Sequence, residues 1–132
     1  MTASAPLATP TAQARKRSPL CGSTVTVEIS IGSDGRIDGY SQNVKACALG
    51  QAAASVAGRH MIGRSLDEVV QARDELRSML KNDGPAPSAP FEELEVLLPA
   101  KDFRNRHASI LLALDATVDA LETATCPQRE HS

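Results

Sequence analysis

The sequence has no tryptophan, one tyrosine (Tyr40) and two phenylalanines (Phe91 and Phe103) among its 132 residues. Too few rings are present to build a groove that stacks bases on aromatics. Positive charge is not in excess either: the net charge is −2 and the pI is near 5.9, which argues against a nucleic-acid surface. No apolar run is long enough to span a bilayer, so no membrane role is expected. Acidic residues are missing ahead of Glu28. The leading stretch "MTASAPLATPTAQARKRSP" carries the basic cluster Arg15, Lys16 and Arg17, as transit peptides do. However, Pro6 and Pro10 spoil an amphipathic helix, and no secretory apolar segment is present. The expectation is a disordered tail over residues 1–17 of a cytoplasmic protein. Cysteine is scarce as well. Cys21, Cys47 and Cys126 make an odd number, which suggests thiols rather than a disulfide framework.

The remaining residues suffice for one domain with a core, over 18–123, and a C-terminal tail over 124–132. In "TVTVEISI", Val25, Val27, Ile29 and Ile31 alternate with Thr24, Thr26, Glu28 and Ser30, the period of a strand with one wet side. Gly32, Asp34 and Gly35 mark a hairpin turn, and further strands are expected near 36–40 and 43–46. The period then changes to that of helices. Leu49, Ala52, Ala53 and Val56 form one stripe. In "SLDEVVQARDELRSML", Ser65 and Glu68 make a capping box ahead of Leu66, Val69, Val70, Leu76, Met79 and Leu80. The loop "NDGPAPSAP" breaks that helix. "FEELEVLLP" reads as a short helical turn with a solvated acidic face. A last helix over 105–123 buries Ile110, Leu111, Leu114, Val118 and Leu121. Strands first and helices after is an α+β order.

Three side chains suited to soft metals fall at element boundaries. Cys21 lies in the Pro-Leu-Cys-Gly turn before the first strand, Cys47 where strands give way to helix, and His107 in the first turn of the last helix. A helix N-terminus stabilises a thiolate and favours its ligation. Two thiolates and an imidazole suit zinc or iron–sulfur chemistry better than magnesium or calcium. Isolated cysteine and histidine are more often structural, and no C-x-x-C or H-x-x-E-H spacing is present, so both readings stand on residue pattern alone. Ser23 reads first as a turn residue, and His60 and His131 as surface residues. The last helix carries Cys126 away from His107, some 17 helical residues spanning about 25 Å.

The stretches "SPLCGSTVTVEISI", "GRIDGYSQNVKACALGQAAAS", "GRSLDEV" and "RHASILLALDATVDAL" follow one another in the order seen in the iron–sulfur cluster scaffold family. The chain resembles the N-terminal NifU/IscU type of domain over about residues 18–123. That family reads P-L-C-G-D, then G-C-x-x-x-x-A-S-x-S, then a G-K/R-S/T helix start, then H-C-S-I-L-A. The resemblance implies a three-stranded antiparallel sheet packed with helices, with the ligands converging at one end. It places Cys21 and Cys47 at the family's first and second cysteines, and His107 at its histidine. Two positions depart: the Asp after C-G is Ser23, and the third cysteine, the family's usual sulfur acceptor, is Ala108. The family's L-P-P-V-K chaperone stretch is represented by Leu98, Pro99 and Lys101 in a longer loop, and its N-terminal helix is not readable in residues 1–17.

The expected function is therefore iron–sulfur cluster assembly of the scaffold type. Cys21, Cys47 and His107 would bind iron, zinc or a labile cluster, [2Fe–2S] by preference. A cysteine desulfurase and cluster-accepting proteins are the implied partners, and self-association is compatible with the pattern. No nucleophile–base pair marks the chain as an enzyme. A degenerate homologue that binds metal or desulfurase as a regulatory module is the alternative. A zinc hydrolase is a third, but it lacks a carboxylate general base beside the ligands.

Overall fold

A computed structural model describes residues 2–3, 12–18 and 22–125. In chain order these residues form β1 (Thr2–Ala3), β2 (Ala12–Arg17), β3 (Thr24–Ile31), β4 (Ile37–Lys45), α1 (Ala48–Gly58) and α2 (Leu66–Lys81). Two 3₁₀ segments, Glu92–Asp102 and Arg104–Arg106, then lead into α3 (His107–Thr125). The sheet is antiparallel in the order β1-β4-β3-β2. Three strands of six to nine residues make up its body, and two-residue β1 widens one edge. The α+β architecture of an antiparallel sheet followed by helices is as the sequence implies.

Which segments supply the strands differs from expectation. Ala12–Arg17 is not tail but an edge strand, paired with β3 from Ala12↔Ile29 to Arg17↔Thr24. Ala12 and Ala14 turn toward the core, and inward Lys16 is neutralised by Asp119 of α3 at 3.0 Å. The strands expected at 36–40 and 43–46 are one continuous β4. Its core-facing row contains Tyr40 and Gln42 instead of a run of aliphatics. Their polar ends are paired: Tyr40 Oη donates to Gln42 Oε1 at 2.9 Å, and Gln42 Nε2 donates to the Ala54 carbonyl at 3.0 Å. Burial raises the Tyr40 pKa to about 12, outweighing its bond to Thr117, so the phenol stays neutral.

β3 keeps its expected bounds. Val25, Val27 and Ile29 are fully buried on the face where α3 packs, alongside β2. In α1 the buried stripe is Gly50, Ala53, Ala54, Val56 and Ala57, whereas Ala52 is exposed. These small residues let α1 lie close to α3. The capping box of α2 is present, with the Ser65 side chain accepting from the Glu68 N–H and the Glu68 carboxylate accepting from the Ser65 N–H. Ser65→Ala removes half of that exchange and is expected to lower stability by about 1 kcal/mol, read by denaturant unfolding. An unchanged midpoint would show that Glu68, which also binds Arg36 and Arg64, holds the terminus alone.

The 3₁₀ segment Glu92–Asp102 runs through Pro99 and beyond the expected turn, burying Leu94, Leu97 and Ala100. Its acidic face is exposed, as expected, and Glu93 there pairs with Arg59 at 2.6 Å and His60 at 2.8 Å. His60 is half-buried at the surface, its ring edge-on to Phe91. α3 starts at His107 and runs to Thr125, two residues into the expected tail, with Ile110, Leu111, Leu114, Val118 and Leu121 all buried. Among the described residues, no helix is long and apolar enough to cross a membrane.

Candidate metal centre

The turn between β2 and β3 is closed at its ends by two backbone bonds: Ser18 N–H to the Ser23 carbonyl at 2.8 Å, and Gly22 N–H to the Ser18 carbonyl at 2.9 Å. Gly22 takes φ +69, a left-handed conformation that glycine adopts without a Cβ penalty. Cys21, which precedes Gly22 in the sequence, lies outside the described residues, as do Cys126 and His131.

Cys47 is the N-cap of α1, partly exposed, with extended backbone at φ −67 and ψ 173. Its sulfur makes no N-cap hydrogen bond of standard geometry, but it lies where the first-turn N–H groups act on it. Partial burial pushes the thiol pKa up. The Gly50 N–H, the Ser109 hydroxyl, the Leu49 N–H and the charge of Arg106 outweigh that, and the net shift is downward. The thiolate is therefore favoured at lower pH than in an ordinary cysteine.

Ser109 links Cys47 to Ser23. Its Oγ stands 3.6 Å from Cys47 Sγ and 3.0 Å from Ser23 Oγ, with both serines buried. A thiolate can only accept, so the Ser109 hydroxyl then donates to sulfur and takes its own bond from Ser23. Ser23 thus reaches Cys47 through Ser109. A Cβ on Gly50 would collide with Ser109 Oγ and crowd Ala46 Cβ at 2.8 Å. Gly50→Ala is expected to destabilise the protein by about 1–2 kcal/mol, overpacking outweighing the helix propensity gained. It should also slow alkylation of Cys47 by iodoacetamide at fixed pH. In wild type, that reaction should fall off as pH drops through a pKa below the usual thiol value. Peptide mapping by mass spectrometry reads it site by site, and identical profiles for both proteins would show that Ser109 does not govern this thiol.

His107 occupies the first turn of α3 and is only 1% exposed. Its Nε2 lies 3.2 Å from the Ala100 carbonyl and 3.0 Å from that of Lys101. Carbonyl oxygens only accept, so Nε2 carries the proton and Nδ1 holds the lone pair. Lys81 Nζ is 3.5 Å from Nδ1, a long contact. Metal-bound histidines are commonly held in this way, one ring N–H on a backbone carbonyl and the other nitrogen free to ligate. Ala108, between His107 and Ser109, is exposed.

The structure thus joins Cys47 and Ser23 through Ser109 of the first turn of α3, and His107 opens the same turn against the loop carbonyls of Ala100 and Lys101. Among the described residues, no three His, Cys, Asp or Glu side chains lie close enough to hold a metal ion. Sequence reasoning missed Ser109, Arg106 and Lys81. Ser109 was recoverable from the serine of the family's H-C-S-I stretch. Lys81, 26 residues before the histidine it touches, carries no sequence signal. Beside His107 opens a cavity of about 380 Å³, lined by Leu80, Lys81, Asp83, Lys101, Asp102, Arg104 and His107.

No family model and no curated protein matches the chain. Solved structures do. A nitrogen-fixing NifU-like protein (N-terminal) from Brucella abortus superposes with a TM-score of 0.86 at 45% identity, covering 90% of this chain and 82% of that one. A candidate SUF-system iron–sulfur cluster assembly scaffold from Fervidobacterium islandicum AW-1 gives 0.76 at 17% identity, covering 87% and 83%. A hypothetical protein gives 0.73 at 21% identity, covering 88% and 84%. The last two share the fold. With nearly half its residues identical to the first over nine-tenths of its length, the chain belongs to the NifU-like N-terminal domain family.

Proposed function

We infer that this protein is a scaffold of iron–sulfur cluster assembly, holding iron, zinc or a labile [2Fe–2S] cluster as cargo through Cys21, Cys47 and His107. The observation that carries this reading is Cys47 itself. It stands at the family's second-cysteine position, and the protein surrounds it with an N–H-rich helix start, a hydroxyl and an arginine that favour thiolate. The donor chemistry fits such cargo: a soft sulfur, plus an imidazole whose tautomer leaves Nδ1 as the ligating atom. Lys81 must give way at Nδ1 when metal binds. The protein is not an enzyme. A cysteine desulfurase supplies its sulfur, acceptor proteins take the finished cluster, and the setting is cytoplasmic.

One observation favours a second reading, a metal-binding or desulfurase-interacting regulatory module. Ala108 offers no thiol where the family's usual sulfur acceptor stands, and the hydroxyl of Ser23 is hydrogen-bonded to Ser109 rather than offered to a metal. Addition of ferrous iron and sulfide without air separates the two. A scaffold acquires visible absorption with inorganic sulfide bound to the protein. A module that binds metal alone stays colourless above the ferrous background.

A further inference from the structure

We propose that the cavity beside His107 binds a small thiol bearing carboxylates, and that its sulfur fills the donor place that Ala108 leaves open. This rests on the scaffold reading above, since it is the cargo that calls for the sulfur. A terminally ligated [2Fe–2S] cluster takes four donors, two on each iron. Cys21, Cys47 and His107 supply three, and the side chain next to His107 is an exposed methyl group.

The cavity has the size and charge to recruit the fourth. Its volume of about 380 Å³ lies at the lower end of small-molecule sites. Three cations, Lys81, Lys101 and Arg104, face it against Asp83 and Asp102. Both carboxylates act on Lys101: Asp83 binds it at 3.1 Å, and together they hold its ammonium above the ordinary lysine pKa. Lys81 and Arg104 have no carboxylate partner among the described residues. Among the described residues Lys81 Nζ has its polar contact with His107 Nδ1, which metal would claim. An ammonium and a guanidinium not themselves engaged by a carboxylate are matched to carboxylates, the guanidinium in bidentate fashion. A carboxylated thiol docked there brings its sulfur to the His107 side of the α3 N-terminus. The thiol ligates as thiolate, its proton passing to solvent.

Two measurements test this. In the first, S-methylglutathione, which keeps the carboxylates but has no free thiol, is titrated into the metal-free protein and followed by NMR. Shifts should centre on Lys81, Lys101, Arg104 and His107, and Lys81→Ala with Arg104→Ala should weaken binding on the order of tenfold or more. Absence of shifts there, or equal affinity in the double variant, overturns the cavity's role. In the second, cluster-loaded protein is challenged with a chelator in glutathione, S-methylglutathione or 2-mercaptoethanol at one concentration. Glutathione alone should prolong the cluster severalfold, and Ala108→Cys should remove that dependence. Equal lifetimes in all three additives overturn the sulfur's role. If no cluster can be loaded at all, the scaffold reading fails and the sulfur's role with it, whereas the titration still judges the cavity.

Discussion

Cys47→Ser is expected to leave about a tenth or less of the wild-type iron or zinc on protein purified without air, as measured by elemental analysis. The serine hydroxyl has almost the shape of the thiol, but it ionises far above neutral pH and is a poor partner for these metals. Position 47 also makes this a clean test of ligation. Serine is a good N-cap, so α1 should start as well or better after the substitution. The Ser109 hydroxyl remains within reach, so the buried pair with Ser23 is not orphaned. Thermal unfolding of the metal-free variant should therefore match metal-free wild type. Metal content equal to wild type would remove Cys47 from the site.

The second large effect runs the other way. Ala108→Cys, alone or with Ser23→Asp, should lengthen cluster survival under chelator on the order of tenfold, the change that ~1.4 kcal/mol of added ligation produces. Ala108 is exposed at the first turn of α3, so the larger side chain meets no packed neighbour there. The same turn carries His107 on one side and Ser109, in contact with Cys47, on the other. A thiol at 108 therefore stands between the two candidate donors, at a helix start that favours its thiolate. Decay of visible absorption from equal starting occupancy gives the comparison. Matched rates would mean that position 108 faces away from the cargo, and His107 would lose its support as a ligand.

Much of this architecture is legible in the residues, and the failures have physical causes. β3 and α2 announce themselves because apolar alternation, or a capping box with a helical stripe, coincides with actual burial. β4 hides its continuity because Tyr40 and Gln42 face the core as polar side chains satisfied by Ala54 and Thr117, contacts supplied by α1 and α3. β2 escapes for a related reason. Its inward row is Ala12, Ala14 and Lys16, and Lys16, its side chain 42% exposed, pairs with Asp119, more than a hundred residues away. The site divides in the same way. A helix-start cysteine and a helix-start histidine can be picked out locally, and family resemblance orders them. Their environment cannot be read locally, because Ser109 meets Ser23 across 86 positions and Lys81 reaches His107 from the end of another helix.

X-ray absorption at the zinc edge of zinc-loaded protein tests the donor set most directly. Zinc–sulfur and zinc–nitrogen bonds differ in length, about 2.3 Å against about 2.0–2.1 Å, and are counted separately. Two sulfurs and one imidazole nitrogen are expected in wild type; zinc forced onto the variants by excess should show one sulfur fewer in Cys47→Ser and no imidazole in His107→Ala. A first shell of oxygen and nitrogen alone, unchanged by either substitution, would contradict the assignment of Cys21, Cys47 and His107 as the residues that hold the cargo.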